Sequence, residues 1–470
     1  MSQPRLTCSY FGLADDFLRT GFAMQTVALS REPIKAAVAP LPRRPSRSET
    51  HGFFPSEPQS IEAAGLNFAE IEGLILKFLL NRGSAAGRHI ASQIKLPFGL
   101  ICPVLLELKS QMLVTYRDSA PMNDYLYELT DTGLMRARQR NERCTFFGAA
   151  PVNLEDYVES VWKQSIEKSK PRLTDLKRAF AELQLPPAVV SQIGQAVNAG
   201  RALFLYGQPG NGKTSIAERV IRAVSEYVWI PRTITVTDEI IRLYDPSTHE
   251  AVHYEAEDDD FDVANRVDQR WVLIKRPTVV TGGELTLEML ECNRNPATGI
   301  NEAPLQMKSN GGALVIDDFG RQRITTTELL NRWIVPLEKG HDYLSLPSGR
   351  QIEVPFAQLL VFSTNLDPTK IVDEAFLRRI PYKVEVFDPS EADFRALFCR
   401  TATQMGFSFD PKIVDYLLNK HYRAPGRSLR FCHARDVLLQ VKNLCEFHEQ
   451  AFVLTETNID VAIYNYFAGL

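Results

Sequence analysis

From residue 61 onward, apolar residues recur every three or four positions in FAEIEGLILKFLLNRG, SAAGRHIASQIK and CPVLLELKSQM, a spacing that predicts three helices. Pro103 falls in the first turn of the third, where a missing N–H is tolerated. LVTYRD and YLYELTDTG follow as β-rich runs and predict a strand pair. Ahead of these elements, residues 31–60 hold six prolines and only isolated apolar residues, which predicts a linker after a short tail. Residues 151–200 read as helical connectors. Beyond 201, apolar strands alternate with amphipathic helices, the pattern of a parallel α/β sheet. The stretch 388–470 is helical throughout. The expected division is a tail and linker over 1–60, a first folded module over 61–145, a helical connector over 146–185, an α/β core over 186–387 and an all-α lid over 388–470.

Composition narrows the partners. Lys plus Arg is 53 and Asp plus Glu is 57, so a net charge of −4 gives no overall attraction to nucleic acid or anionic lipid, and such binding requires a local patch. The seven cysteines are odd in number and never spaced as CxxC or as a zinc pattern, which fits a reducing compartment. No apolar run reaches the length of a membrane span, and Asp15 and Asp16 interrupt the place where a signal peptide needs unbroken apolar sequence. A cytoplasmic protein is expected.

Three helices closed by a strand pair resemble a winged helix, with ASQIKLPFGLICPVLLELKSQMLV in the helix-turn-helix register and YELTDTG at the second wing strand. That family often places the last of the three helices in the DNA major groove, with polar side chains toward base edges. Here the corresponding stretch offers Leu100, Ile101, Pro103 and Val104, and Lys109 is its only base. Residues 61–150 carry ten Lys or Arg against nine Asp or Glu. Protein docking is therefore the favoured role; DNA binding and a purely structural role stay open. The cluster Arg136, Arg138, Arg140 and Arg143 fits a DNA contact or a solvated helix end equally well.

The segment RALFLYGQPGNGKTSIAERVIRAV combines an apolar strand, a glycine-rich turn and an amphipathic helix, and matches G, four residues, G, K, then S or T. Gly207, Gln208, Pro209, Gly210, Asn211, Gly212, Lys213, Thr214 and Ser215 form the expected phosphate cradle, because backbone N–H groups and a helix N-terminus attract anions. Lys213 is expected to reach the β- and γ-phosphates of ATP, and Thr214 to offer its hydroxyl to Mg²⁺. SNGGALVIDDFGRQ supplies a second apolar strand, with Asp317 at its carboxyl end as the second Mg²⁺ residue and Asp318 next to it as the base that orients the attacking water.

These two motifs with an all-helical C-terminal unit resemble an AAA+ ATPase over about residues 175–467. QLLVFSTN ends in Asn365, which matches the sensor-1 position that helps place the hydrolytic water. YLSLPSGRQIEVP and EAPLQMKSNGG are similar to segments of the pre-sensor-1 hairpin superclade, which includes MoxR-type ATPases. DEAFLRRIPYKVEV matches the segment with the arginine finger that completes a neighbouring subunit's site. Arg379 aligns best and Arg378 next. PGRSLRFCHARDVLL resembles the sensor-2 helix, with Arg427 as the phosphate-touching residue and Arg430 as fallback.

Two departures stand out. The family usually has Glu where this chain has Asp318, one methylene shorter, and 104 positions separate Lys213 from Asp317, so something is inserted. The insert includes the acidic run Glu255, Glu257, Asp258, Asp259, Asp260 and Asp262, read as a solvated loop. Inserts of this superclade face the ring pore, which makes Tyr254 or Phe261 a substrate contact by resemblance. The resulting expectation is an α/β P-loop protein with an all-α lid and a winged-helix module, hydrolysing ATP with Mg²⁺ as a ring that remodels a protein partner. A DNA-directed regulator or loader and a non-catalytic nucleotide switch remain the alternatives.

Overall fold

The computed structural model describes residues 52–200, 202–237, 239–254 and 266–467. The acidic run and Phe261 lie outside the described residues, as does the tail through residue 51. Among the described residues no single helix is long and apolar enough to cross a membrane.

The first module packs helices Phe68–Arg82, Gly87–Ile94, Phe98–Ser110 and Asp131–Arg143 with a three-stranded antiparallel sheet ordered Ser84–Ala86, Asp124–Leu129, Val114–Ala120. Asn67 and Glu70 form a reciprocal capping box that starts the first helix. Ile71, Ile75, Ile90, Ile101, Leu105 and Leu108 project from three helices into one core. The third helix begins five residues before Pro103, so the proline lies inside it rather than in its first turn. The carbonyl it leaves unbonded belongs to Gly99, an exposed position where water can take the lost bond.

Two arginines of the basic cluster are already engaged. Glu72 is buried, and Arg136 grips it through Nε and Nη2 at 2.7 and 3.0 Å, with Arg140 at 3.5 Å. A buried carboxylate needs such partners. Residues 52–60, read as linker, are packed instead. Phe53 lies 5.0 Å from the Trp271 ring, Phe54 contacts Trp229 and Tyr254, and Pro55 and Pro58 are buried. Prolines suppress regular structure, but the adjacent aromatic rings supply enough apolar area to dock the segment.

The central sheet has five parallel strands: β1 (Leu203–Tyr206), β2 (Thr278–Thr281), β3 (Ala313–Ile316), β4 (Leu359–Thr364) and β5 (Tyr382–Glu385). Their spatial order is β2-β3-β4-β1-β5. Alternation splits them between two cores: Leu203, Leu205, Val315, Val361 and Val384 face one side, and Phe204, Leu314, Ile316, Leu360 and Phe362 the other. Burial on both faces is why the inner strands β1, β3 and β4 read as apolar runs, whereas the edge strands β2 and β5 expose Val280 and Lys383. The chain leaves β1 toward β2 and leaves β4 toward β5 on the opposite side, so a crevice opens at the carboxyl ends of β1 and β4.

Between β1 and β3 the insert builds a second, mixed sheet, ordered Asn293–Arg294, Asn301–Glu302, Glu239–Arg242, Thr233–Val236 and Val152–Asn153. The connector thus contributes an edge strand as well as helices. The first module is fastened to this region: the Ala150 N–H donates to Ile94, Thr145 to Thr298, and buried Arg270, paired with Asp268 at 2.7 Å, donates to the carbonyls of Ala64 and Pro151.

Helices Glu391–Gln404, Lys412–Leu418, Phe431–Phe447 and Glu456–Phe467 make up the all-α C-terminal unit around Phe394, Phe398, Leu417, Val437 and Leu438. His433 is buried there against Tyr422, Tyr466 and Phe467, and its Nδ1 has no partner. Burial, then the Arg430 charge, pulls this imidazole down to about 4. An unfolded histidine titrates near 6.5, so between those values the unfolded chain binds a proton that the folded unit does not. Stability is therefore expected to fall as pH drops from about 6.5 to 4, by up to about 3 kcal/mol. Thermal melts across that window, against a His433→Leu variant lacking this component of the slope, measure it.

Candidate nucleotide site

Of the residues singled out in the sequence, those from Pro209 to Ser215 together with Asp317, Asp318 and Asn365 line one cleft of about 640 Å³ at the carboxyl ends of β1, β3 and β4. The loop after β1 turns where only glycine fits. Gly207 has φ +139, and a Cβ there would stand 2.4 Å from the Val386 carbonyl oxygen; Gly210 has φ +83, with Cys432 Sγ 2.5 Å from its Cβ position. The helix Lys213–Val220 starts directly after Gly212, so its free N–H groups open into the cleft.

Lys213 is buried, and its Nζ donates to the carbonyls of Gly207 and Gln208 at 3.0 Å each and to Asn365 Oδ1 at 2.7 Å. Burial pushes this ammonium below the ordinary lysine range, while the Asp317 and Asp318 carboxylates oppose the shift. Thr214 Oγ1 donates to Asp317 Oδ2 at 2.7 Å, and Asn365 Nδ2 donates to Asp318 Oδ1 at 3.0 Å. One amide thus spans Lys213 and Asp318. Asp318 has φ +48, a left-handed conformation that Asp adopts more readily than Glu. That backbone gives a physical reason for the shorter acid. Gln322, which the sequence did not single out, holds this turn by donating to the carbonyls of Asp317 and Asp318.

The Thr214 hydroxyl and Asp317 carboxylate are hard oxygen donors and suit Mg²⁺, which takes one or two protein ligands and leaves the rest to phosphate and water. Among the described residues no group of three or more His, Cys, Asp or Glu could hold a metal by itself.

The arginines fall in three places. Arg427 is not in the cleft: its guanidinium stacks 3.6 Å from the Phe467 ring centroid and donates to the His421 carbonyl, inside the helical unit. Arg430 lies at the glycine-rich loop instead, paired with Asp388, which also accepts from Asn211 Nδ2 at 2.7 Å. The Cys432 N–H donates to the Gly210 carbonyl, so helix Phe431–Phe447 begins against the loop and brings Arg435, one turn in, to the cleft wall. The helix start decides which arginine faces the loop, and a periodicity reading could have found Arg435 had it begun at Phe431. Arg321 also lines the cleft. Arg379 lies before β5, at the amino ends of the strands and so at the opposite end of the sheet from the cleft, with Nε 2.6 Å from Glu338 Oε1 and Nη1 on the Ala375 carbonyl. Arg378 beside it is exposed. Tyr254 packs against Trp229 and Phe54.

A profile described as a domain of unknown function, DUF8689, matches residues 390–465. No curated protein matches the chain. Among solved structures, the Thermotoga maritima RuvB Holliday junction branch migration motor aligns at 13% identity and a TM-score of 0.34, covering 61% of this chain and 70% of that one. NtrX from Brucella abortus aligns at 14% identity and a TM-score of 0.39, covering 62% and 58%. NtrX in complex with ATP aligns at 12% identity and 0.36, covering 71% and 62%. Likenesses this loose carry no function, which must come from the chain's own residues.

Proposed function

We propose that this chain is an AAA+-type ATPase that hydrolyses ATP to ADP and phosphate as a ring-forming motor acting on a protein partner. The observation that carries the reading is the meeting of Lys213, Thr214, Asp317, Asp318 and Asn365 in one cleft at a glycine-rich loop and helix N-terminus. The loop N–H groups and Lys213 bind the phosphates, with Lys213 exchanging its Asn365 contact for phosphate oxygen. Thr214 and Asp317 are the residues that would hold Mg²⁺, which when bound neutralises charge between the β- and γ-phosphates. Asp318, oriented by Asn365, accepts a proton from the attacking water. Arg430 or Arg435 replaces Arg427 as the arginine that couples the helical unit to the phosphates, and Arg379 or Arg378 reaches a neighbouring subunit.

A protein partner is favoured over DNA because the outer face of helix Phe98–Ser110 presents Gly99, Pro103, Leu106 and Glu107, and its two exposed donors, Lys109 over the Tyr116 ring and Ser110 bonded to the Glu107 carbonyl, stand at its last turn. Two of the four nearby arginines are also committed to Glu72. The test is ATP turnover per subunit against protein concentration, with Lys213→Ala as blank. Specific activity is expected to rise steeply as subunits associate. A measurable but concentration-independent rate would remove the ring, and ATP binding without turnover would leave a nucleotide switch.

A further inference from the structure

Away from the nucleotide cleft, helix Leu154–Lys163 lies beside the hairpin strand Gln351–Pro355, and a groove of about 430 Å³ runs between them. Val158 and Trp162, one helical turn apart, form its floor with Pro355. The rim is acidic: Glu155, Glu159 and Glu353 line it, and no lysine or arginine does. Glu159 is paired with Lys163 at 2.5 Å and Glu353 stands 3.8 Å from His341, while the Glu155 carboxylate makes no hydrogen bond or ion pair among the described residues. Trp162 is 40% exposed, whereas Trp229, Trp271 and Trp333 are buried. An open indole beneath an acidic rim suits a segment that carries arginine and proline, since guanidinium stacks on aromatic faces and proline-bearing chains dock in aromatic-lined grooves.

The chain brings such a segment to this place. Its described part begins at Gly52, whose Cβ position lies 3.4 Å from the Lys163 carbonyl oxygen, one residue beyond Trp162. The residues just before it, 44–51, read RPSRSETH, with two arginines and a proline against one glutamate. We propose that residues 44–51 occupy this groove as a strap from the same chain, with Arg44 and Arg47 paired to Glu155 and Glu353 across Val158 and Trp162. Reach is sufficient: the segment extends up to about 26 Å, and Leu154 to Trp162 covers about 12 Å of helix. Strength is sufficient as well. A segment tethered beside its site is present at an effective concentration of about millimolar, so ion pairs worth up to about 1 kcal/mol each hold it there. The contact is independent of the nucleotide reading.

The experiment places a photo-crosslinker in the full chain as Ser46→p-benzoylphenylalanine and maps the products by mass spectrometry, in an equal mixture of light- and heavy-nitrogen-labelled protein. Cross-links are expected to helix Leu154–Lys163 or strand Gln351–Pro355, within light or heavy chains alone. Adding Arg44→Glu and Arg47→Glu is expected to lower their yield about fivefold or more. Adding Glu155→Lys and Glu353→Lys to that variant reverses both sides of each pair and should restore the yield, which a folding defect would not. Cross-links confined to other elements, or none, overturn the strap. A yield indifferent to the two arginine reversals, or one that the exchanged charges fail to restore, overturns the pairing. Products joining light to heavy chains mean that the groove takes the segment of a second copy, and overturn the assignment to the same chain.

Discussion

Lys213→Ala is expected to lower ATP turnover by about a thousandfold, measured as phosphate release at saturating protein. The side chain is the one ammonium at the loop, and it is already gathered toward the phosphate position by two loop carbonyls and Asn365. Its burial places the charge where little water screens it. Removing it leaves charge on the transferring phosphoryl group unneutralised, where a preorganised donor is worth most. Asn365 loses its cation as well, so the water-orienting amide over Asp318 becomes free to turn. Weakened nucleotide affinity should accompany the loss. A rate within a few-fold of the wild type would mean that the cleft is not the hydrolytic centre.

The second large effect is expected at Arg379, where alanine should cost about 10³-fold in turnover if the guanidinium serves a neighbouring site. Within one chain it is far from the cleft, because β5 runs parallel to β1 and Arg379 precedes its start. It must leave Glu338 to act, so it can contribute only across an interface. Mixing inactive Lys213→Ala subunits with inactive Arg379→Ala subunits should therefore restore activity, since about a quarter of randomly formed head-to-tail interfaces pair an intact lysine with an intact arginine. No recovery in assembled mixtures would remove Arg379 from this role. The same loss and recovery with Arg378→Ala would assign the finger to the exposed neighbour.

What the sequence made legible was whatever is local. The strand, glycine turn and helix around Lys213 form one continuous segment whose chemistry depends on spacing alone, and Asp317 and Asn365 each end an apolar run that needs no partner to be recognised. Residue positions set by distant pairing were not readable. Val152–Asn153 joins Thr233–Val236 as a parallel edge strand, and two-residue strands carry no periodicity. The choice of Arg427 failed because the helix begins at Phe431, after it, so the arginine turns back onto Phe467.

The fastening of the first module to the insert also sets what can be taken from this chain as a working part. A shortened form beginning at the α/β core would lack Val152–Asn153, exposing the edge of Thr233–Val236 with buried Ile234 behind it, and would strip Arg270 of two carbonyl acceptors. An open apolar edge recruits other chains. The α/β half and the first module therefore have to be kept together: cutting between them opens this edge, and the candidate nucleotide cleft stays in a soluble part only when both are present.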